Sequence, residues 1–254
     1  MSDEQSVYGV KAALALIERR PDDVLRLHYR KERRAQLKGV LAWAASKRLP
    51  YRELDEDSLK KVAGGSHHEG VVVIAKPLRF TAFDAAGMVP KREEAGSQPA
   101  RVPSRHPLWV AVDGVENPHN LGAILRSCAF FGAEGVLVGG ANPGDKVNQA
   151  AIRIAEGGAE YVRLIAAPDL TQVLTSLGLQ GWAVLGLETD GSPLPRVRPA
   201  RPVLLVLGHE HEGLRPAIRK ACTAVHRIPG AGPLASLNVS VAAGVALALL
   251  QPHG

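Results

Sequence analysis

Four successive residues, His209-Glu210-His211-Glu212, break an apolar stretch that runs from Val203 to Leu214, and imidazole and carboxylate side chains can ligate a metal or move protons. The metal reading fails on spacing. A helical zinc site needs two histidines four residues apart, whereas successive residues at the tip of a strand point to opposite sides. Further on, Gly230-Ala231-Gly232-Pro233 forms a loop between two apolar segments. It lacks the Gly-Lys-Ser/Thr ending of a triphosphate loop and does not run directly into a helix, and no GxGxxG fingerprint follows the first strand of this half. Ser236 and Asn238 then open a long apolar helix pattern, where amides and side chains can reach a ligand. What remains is a crevice lined by two glycine-bearing loops, suited to gripping a small ligand through backbone atoms.

The elements that must position these loops are legible from periodicity. Val203 to Leu207 is a continuous apolar run, as expected of a buried parallel strand. From Leu108 onward, strands at 108–115, 135–140, 161–165, 182–187, 203–207 and 224–228 alternate with helices at 120–131, 146–156, 170–177, 214–222 and 236–250. A polar, proline-rich link is expected over 188–202. Such alternation predicts an α/β, doubly wound parallel sheet, with ligands bound beyond the carboxyl ends of its strands. Before it, a helix at 7–20, a strand at 24–29, a helix at 32–46, a short strand after Tyr51, a helix at 55–62 capped by Asp55 or Asp57, and a strand at 71–75 predict a small α/β unit. The segment 90–107 mixes charge, Ser, Gly and Pro without apolar period and reads as a linker. The expected organisation is therefore 1–89, a linker at 90–107, and 108–254.

Three groups of residues carry a family resemblance. Asn117-Pro118-His119-Asn120-Leu121-Gly122-Ala123-Ile124-Leu125-Arg126, then Gly208-His209-Glu210 with Gly213-Leu214, then Ile228-Pro229 with Ser236-Leu237-Asn238-Val239-Ser240-Val241-Ala242, resemble the three motifs of the SpoU (TrmH-like) RNA 2'-O-ribose methyltransferases. The order and spacing match across roughly the last 150 residues, where any one motif alone would be weak. The front segment, with Tyr8-Gly9 and His68-Glu69-Gly70-Val71-Val72, resembles the ribosomal-protein-like RNA-binding domain often joined to these enzymes.

The resemblance implies an S-adenosylmethionine-dependent enzyme acting on a ribose 2'-hydroxyl of ribosomal or transfer RNA, with guanosine in 23S rRNA favoured. It implies a Rossmann-like C-terminal domain closed by a trefoil knot, and a homodimer that buries helix 236–250. Asn120, Arg126, Glu210, Ser236 and Asn238 become the catalytic candidates. Leu207, Gly208, Ile228, Gly230 and Leu237 become the cofactor-binding ones. Asn120 is expected to cap its helix and orient Arg126, and Glu210 to position Arg126 or the ribose. A guanidinium is permanently protonated, so Arg126 is better suited to holding a phosphate or stabilising a forming alkoxide than to acting as a base. Arg30, Lys31, Arg33 and Arg34, with Lys38, would face RNA phosphates.

Charge agrees with a front end that meets a polyanion. Residues 1–107 hold 20 basic and 14 acidic side chains, and residues 108–254 hold 11 of each, so the net +6 lies entirely in the first part. No signal-like N-terminus and no membrane-length apolar run is visible. The only cysteines, Cys128 and Cys222, form no CxxC pair, so a disulfide framework or zinc site is not expected and a reducing cytoplasm is. Two other readings stay open at this point: a different nucleotide-binding α/β enzyme, and an RNA-binding protein of the same fold that has lost methyl transfer.

Overall fold

The structure is a computed structural model that describes residues 3–84, 88, 106–140, 145–196 and 198–251. Most of the expected linker, 90–105, lies outside the described residues.

The front unit is a four-stranded mixed sheet with helices against it. Its elements are β1 (Gln5–Tyr8), α1 (Val10–Arg19), β2 (Val24–Tyr29), α2 (Lys38–Ser46), β3 (Tyr51–Glu53), α3 (Glu56–Ala63) and β4 (Val71–Ala75). The order is β1-β4-β2-β3, with β4 antiparallel to both neighbours and β2 parallel to β3. β2, β4 and the Asp55-capped α3 fall where the sequence placed them. The helix expected from Val7 is instead a strand followed by a helix. The break is Gly9, at φ 95°, and α1 starts only at Val10. The helix expected from Glu32 starts at Lys38, because Lys31–Arg33 form a separate 3₁₀ turn.

No local side chain caps α1. The Val10 amide donates to the Glu69 carboxylate at 2.9 Å, fifty-nine residues away. Glu69→Ala is therefore expected to lower stability by about 1 kcal/mol, and Glu69→Gln, which keeps an acceptor, by less. The check is the shift in denaturant midpoint at constant m-value. Equal midpoints for wild type and Glu69→Ala would show that this long-range cap contributes nothing.

The second unit is a seven-stranded sheet with every pairing parallel. In chain order it contains β5 (Thr81–Ala82), β6 (Leu108–Asp113), α4 (Pro118–Phe131), β7 (Gly135–Gly139), α5 (Gln149–Ile154), β8 (Arg163–Ala167), α6 (Leu170–Leu179), β9 (Ala183–Pro193), β10 (Val203–Leu207), α7 (Pro216–Ala221), β11 (Ala224–Arg227) and α8 (Val239–Leu249). The strand order is β11-β9-β10-β6-β7-β8-β5. β6, β7 and β10 are buried along their whole length, which is why they read as unbroken apolar runs. β9 runs past the expected Leu187 to Pro193, over residues assigned to a polar link. Its polar end is paired by β11, with a register shift between Val225 and His226, and Gly191 lies against the His226 backbone, where a Cβ would come within 2.6 Å. These polar residues belong to a paired strand with exposed side chains rather than to a loop.

The two units share one apolar cluster and a dense polar seam. The Gln5 side chain donates to the Val147 carbonyl at 2.8 Å, and Gln149 donates to the Ser6 carbonyl at 2.9 Å. Arg20 grips the buried Glu160 through two hydrogen bonds of 2.7 and 3.0 Å. No helix among the described residues is long and apolar enough to cross a membrane.

Candidate active site

The site begins where β10 runs out. Gly208 is buried, and a Cβ there would lie 2.3 Å from the carbonyl carbon and oxygen of Gly213. Only glycine lets the chain fold back this closely. The turn is closed by His209 N–H donating to the Gly213 carbonyl at 2.9 Å and Gly213 N–H donating back at 3.0 Å. Gly213 sits at φ 69° against the Glu188 carboxylate, which also accepts from the Leu214 amide at 3.2 Å. The His-Glu-His-Glu stretch is the tip of this tight turn, and Glu210 is exposed on it.

Glu210 is not alone. Its carboxylate accepts from the Asn120 side-chain amide, and the Asn120 carbonyl oxygen accepts from the Asn238 side-chain amide at 3.1 Å. The Asn238 oxygen accepts from the Ser240 amide at 2.9 Å and the Ser240 hydroxyl at 2.6 Å. An ionised carboxylate only accepts, so Glu210 fixes which end of Asn120 faces it, and Asn120 in turn fixes Asn238. The relay joins three elements: the turn after β10, the first turn of α4, and the start of α8.

Each asparagine has a local reason for its place. Pro118 opens α4 and Asn117 caps it, accepting from the His119 amide at 2.9 Å. Asn120 is thus not the cap the sequence suggested; it is inside the helix, 7% exposed, with its amide free to reach across. Asn238 is the cap of α8, and Ser236 lies in the loop before it.

The loop from Arg227 to α8 and the turn after β10 enclose a cavity of about 760 Å³. Leu207, Gly208, Ile228, Gly230 and Leu237 all line it, together with Glu210 and Ser236. Leu234 and Leu237 stand at its wall 84% and 49% exposed, apolar surface with no cover in the single chain. Among the described residues no group of side chains could hold a metal ion. The two cysteines are unpaired, and burial pushes the Cys128 thiol up to about 12 and the Cys222 thiol up to about 11.

Arg126 does not join this cluster. Six residues along a helix is about 600° of rotation, which turns it some 120° away from Asn120. It is 54% exposed and donates to the Glu156 carboxylate at 2.9 Å, facing a separate cleft toward the front unit. Neither Asn120 nor Glu210 orients it, contrary to the sequence expectation. The basic residues of the front unit are also partly committed. Arg30 pairs with Glu56 and Glu32, and Arg33 donates to the Glu69 carbonyl at 2.8 Å and to Gln36 at 3.0 Å. Arg34 and Lys31 stay exposed, Arg34 lying 3.9 Å from Glu53. His68 is structural: it is buried and accepts from the Gly70 amide at 3.0 Å.

Sequence reasoning missed Asp113. It ends the apolar strand β6, is buried, and takes two hydrogen bonds of 2.6 and 2.7 Å from Arg215, tying the start of α7 to the strand ends. The signal was present as one acid closing an otherwise apolar run. Glu156 and Glu188 left no such signal.

Comparison with known proteins bears on the fold and the family. Residues 107–248 match the model of the SpoU rRNA Methylase family, and residues 6–81 match that of RNA 2'-O ribose methyltransferase substrate binding. The chain is 34% identical to the 23S rRNA (guanosine-2'-O-)-methyltransferase RlmB of Pseudomonas aeruginosa, covering 97% of this chain and 96% of that one. It is 36% identical to an uncharacterized tRNA/rRNA methyltransferase, YfiF, of Escherichia coli, covering 97% of this chain and 67% of that longer one. Among solved structures, an RNA 2'-O ribose methyltransferase superposes with a TM-score of 0.72 at 26% identity, over 97% of this chain and 87% of that one. The SpoU methyltransferase AviRb of Streptomyces viridochromogenes, solved in complex with the cofactor AdoMet, shares the fold with a TM-score of 0.71 at 22% identity, over 98% and 89% of the two chains.

Proposed function

The chain belongs to the SpoU rRNA methylase family, and on that premise we propose that it moves the methyl group of S-adenosylmethionine to a ribose 2'-hydroxyl of structured RNA, with guanosine of 23S rRNA the favoured target and transfer RNA second. The observation that carries this reading is the Glu210–Asn120–Asn238 relay, whose Glu210 end stands at the wall of a cavity made of backbone-rich loops.

The residues present suit the cofactor. The turn at Gly208 leaves bare backbone where a Cβ would collide, and Leu234 and Leu237 offer apolar surface that an adenine ring would cover. Leu207, Gly208, Ile228, Gly230 and Leu237 would hold it. When bound, S-adenosylmethionine would supply an electrophilic methyl carbon for in-line transfer to the ribose oxygen, with the sulfur departing as a neutral thioether and the hydroxyl proton passing to the Glu210 carboxylate. The protein's own work is alignment and charge. Glu210, held by Asn120, would accept a hydrogen bond from the ribose and set its angle. Ser236 and Asn238 would fix the opposite side, and the two loops would keep water from the reacting atoms. Arg126, a permanent cation outside the cofactor cavity, is assigned to an RNA phosphate rather than to proton abstraction.

The proposal extends to assembly and topology. A C-terminal trefoil knot is supported by β11 returning beside β9 while the next segment lines the same cavity as the turn after β10. A homodimer is supported by α8, which leaves Val241 51% exposed next to Leu237 in the single chain. Lys31 and Arg34 remain the front unit's candidate phosphate contacts, and a reducing cytoplasm suits its unpaired thiols.

The test uses methyl-labelled cofactor and total RNA from cells lacking the protein, followed by alkaline digestion, which spares only linkages carrying a 2'-O-methyl group. Label is expected in alkali-resistant dinucleotides, and its sequence identifies the nucleotide. Label released as base-methylated mononucleotides would overturn the ribose assignment.

A further inference from the structure

A second cavity, of about 300 Å³, lies at the junction of the two units. One wall carries Lys11 and Glu69 of the front unit; the other carries Arg126, Arg153 and Glu156. The acids in it are already committed. Glu69 caps α1 through the Val10 amide, and Glu156 is shared between Lys11 at 2.7 Å and Arg126 at 2.9 Å. Glu156 stands between them because its backbone is left-handed, at φ 46°, with Gly157 pressed so close to α1 that a Cβ would lie 2.8 Å from the Ala15 Cβ. The hydrogen bond from Lys11 and the nearby Arg126 guanidinium hold the Glu156 carboxyl below the usual carboxylate range, so it stays ionised. Arg153 is different: it is half-buried in the cleft, and its guanidinium has no hydrogen bond or ion pair among the described residues. A guanidinium withdrawn from water without a counter-charge is costly, and its planar fork of donors matches a phosphate.

We propose that this interdomain cleft is a phosphate-binding site for substrate RNA, with Arg153 as its principal contact and Lys11 and Arg126 completing it from the two units. It rests on the proposed RNA methyltransferase reading and adds a route: a strand held by the front unit crosses the junction on its way to the cofactor cavity. Glu156 is the positioning residue, keeping Lys11 and Arg126 extended into the cleft until an RNA phosphate takes its place.

The experiment measures binding of purified ribosomal RNA to the full chain across a series of salt concentrations, for wild type, Arg153→Gln, Arg153→Lys and the charge-matched control Lys220→Gln on the exposed end of α7. Calorimetry with S-adenosylmethionine runs alongside. Arg153→Gln is expected to weaken RNA binding about 5- to 10-fold near physiological salt and to flatten the slope of log K against log salt by about 0.7 to 0.9, the value of one lost phosphate contact. Arg153→Lys should restore most of the slope, Lys220→Gln should leave it unchanged, and cofactor affinity should be the same in all four proteins. Equal slopes for Arg153→Gln and wild type, or equal losses for Arg153→Gln and Lys220→Gln, would overturn the site. If wild-type protein binds RNA with the Arg153-dependent slope yet transfers no methyl group, the cleft stands and the transferase reading falls.

Discussion

Gly208→Ala is expected to weaken S-adenosylmethionine binding by at least about 100-fold while leaving the protein folded. The added methyl group would sit 2.3 Å from the backbone of Gly213, and neither atom it meets belongs to a side chain that can swing aside. Relief requires the turn after β10 to open, breaking the paired hydrogen bonds between His209 and Gly213. That movement displaces the cavity wall at Leu207 and Gly208 and carries Glu210 away from Asn120. The sheet below is anchored by β6 and β9 on either side of β10, so the strain stays in the turn, and overpacking of this kind costs about 1–3 kcal/mol. Calorimetric titration with the cofactor, beside thermal melts, reads both quantities. A dissociation constant within threefold of wild type would show that the turn is not part of the cofactor site.

Asn120→Asp should lower the rate of methyl transfer by about 100-fold or more at pH 8, with a smaller deficit at pH 6. The wild-type amide donates to Glu210 and accepts from Asn238. A carboxylate in its place has no proton to donate and sets two negative charges at hydrogen-bond distance, in a position only 7% exposed. Like charges this close raise the pKa of the pair, so one proton is retained as pH falls. At lower pH the shared proton restores a donor between positions 120 and 210, and the relay partly re-forms. The sign is therefore the opposite of a simple loss of base. Single-turnover rates at saturating cofactor, compared at several pH values for both proteins, decide it; a deficit that is constant with pH would remove the relay from the mechanism. Losing one preorganised donor near developing charge typically costs on this scale.

Much of the parallel sheet was readable because a strand buried on both faces admits few polar residues. β10 matched its expected bounds for that reason, whereas β9 did not, since its outer half is covered by a neighbouring strand rather than by a core. The last two residues of β1 fit a helix pattern because Val7 and Tyr8 precede an Ala/Leu run and only Gly9 separates them. At the site, the motifs contain the residues that the structure joins by hydrogen bonds, Asn120, Glu210 and Asn238, and those that line the cavity beside Glu210. What it could not give was direction. Whether a helix residue faces the crevice or the domain junction depends on its rotation about the axis relative to neighbours not yet placed. Arg126 and Asn120 share one motif and part company by that rotation. The cleft between the units was invisible for a related reason: Lys11, Arg153 and Glu156 are ordinary surface residues until two separately folded segments meet.

The relay also orders events in the making of the protein. Asn120 and Asn238 are 118 positions apart, and their hydrogen bond is among the last long-range contacts a growing chain can form. The front sheet, by contrast, has all four strands once Ala75 has been synthesised. Domains tend to fold as units in the order they emerge from the ribosome. A nascent chain stalled before Asn238 would carry a finished surface for RNA and an unfinished centre for chemistry. On the proposed reading capture would precede competence during synthesis, and a truncated product would act as a competitor for the substrate rather than as a slow enzyme.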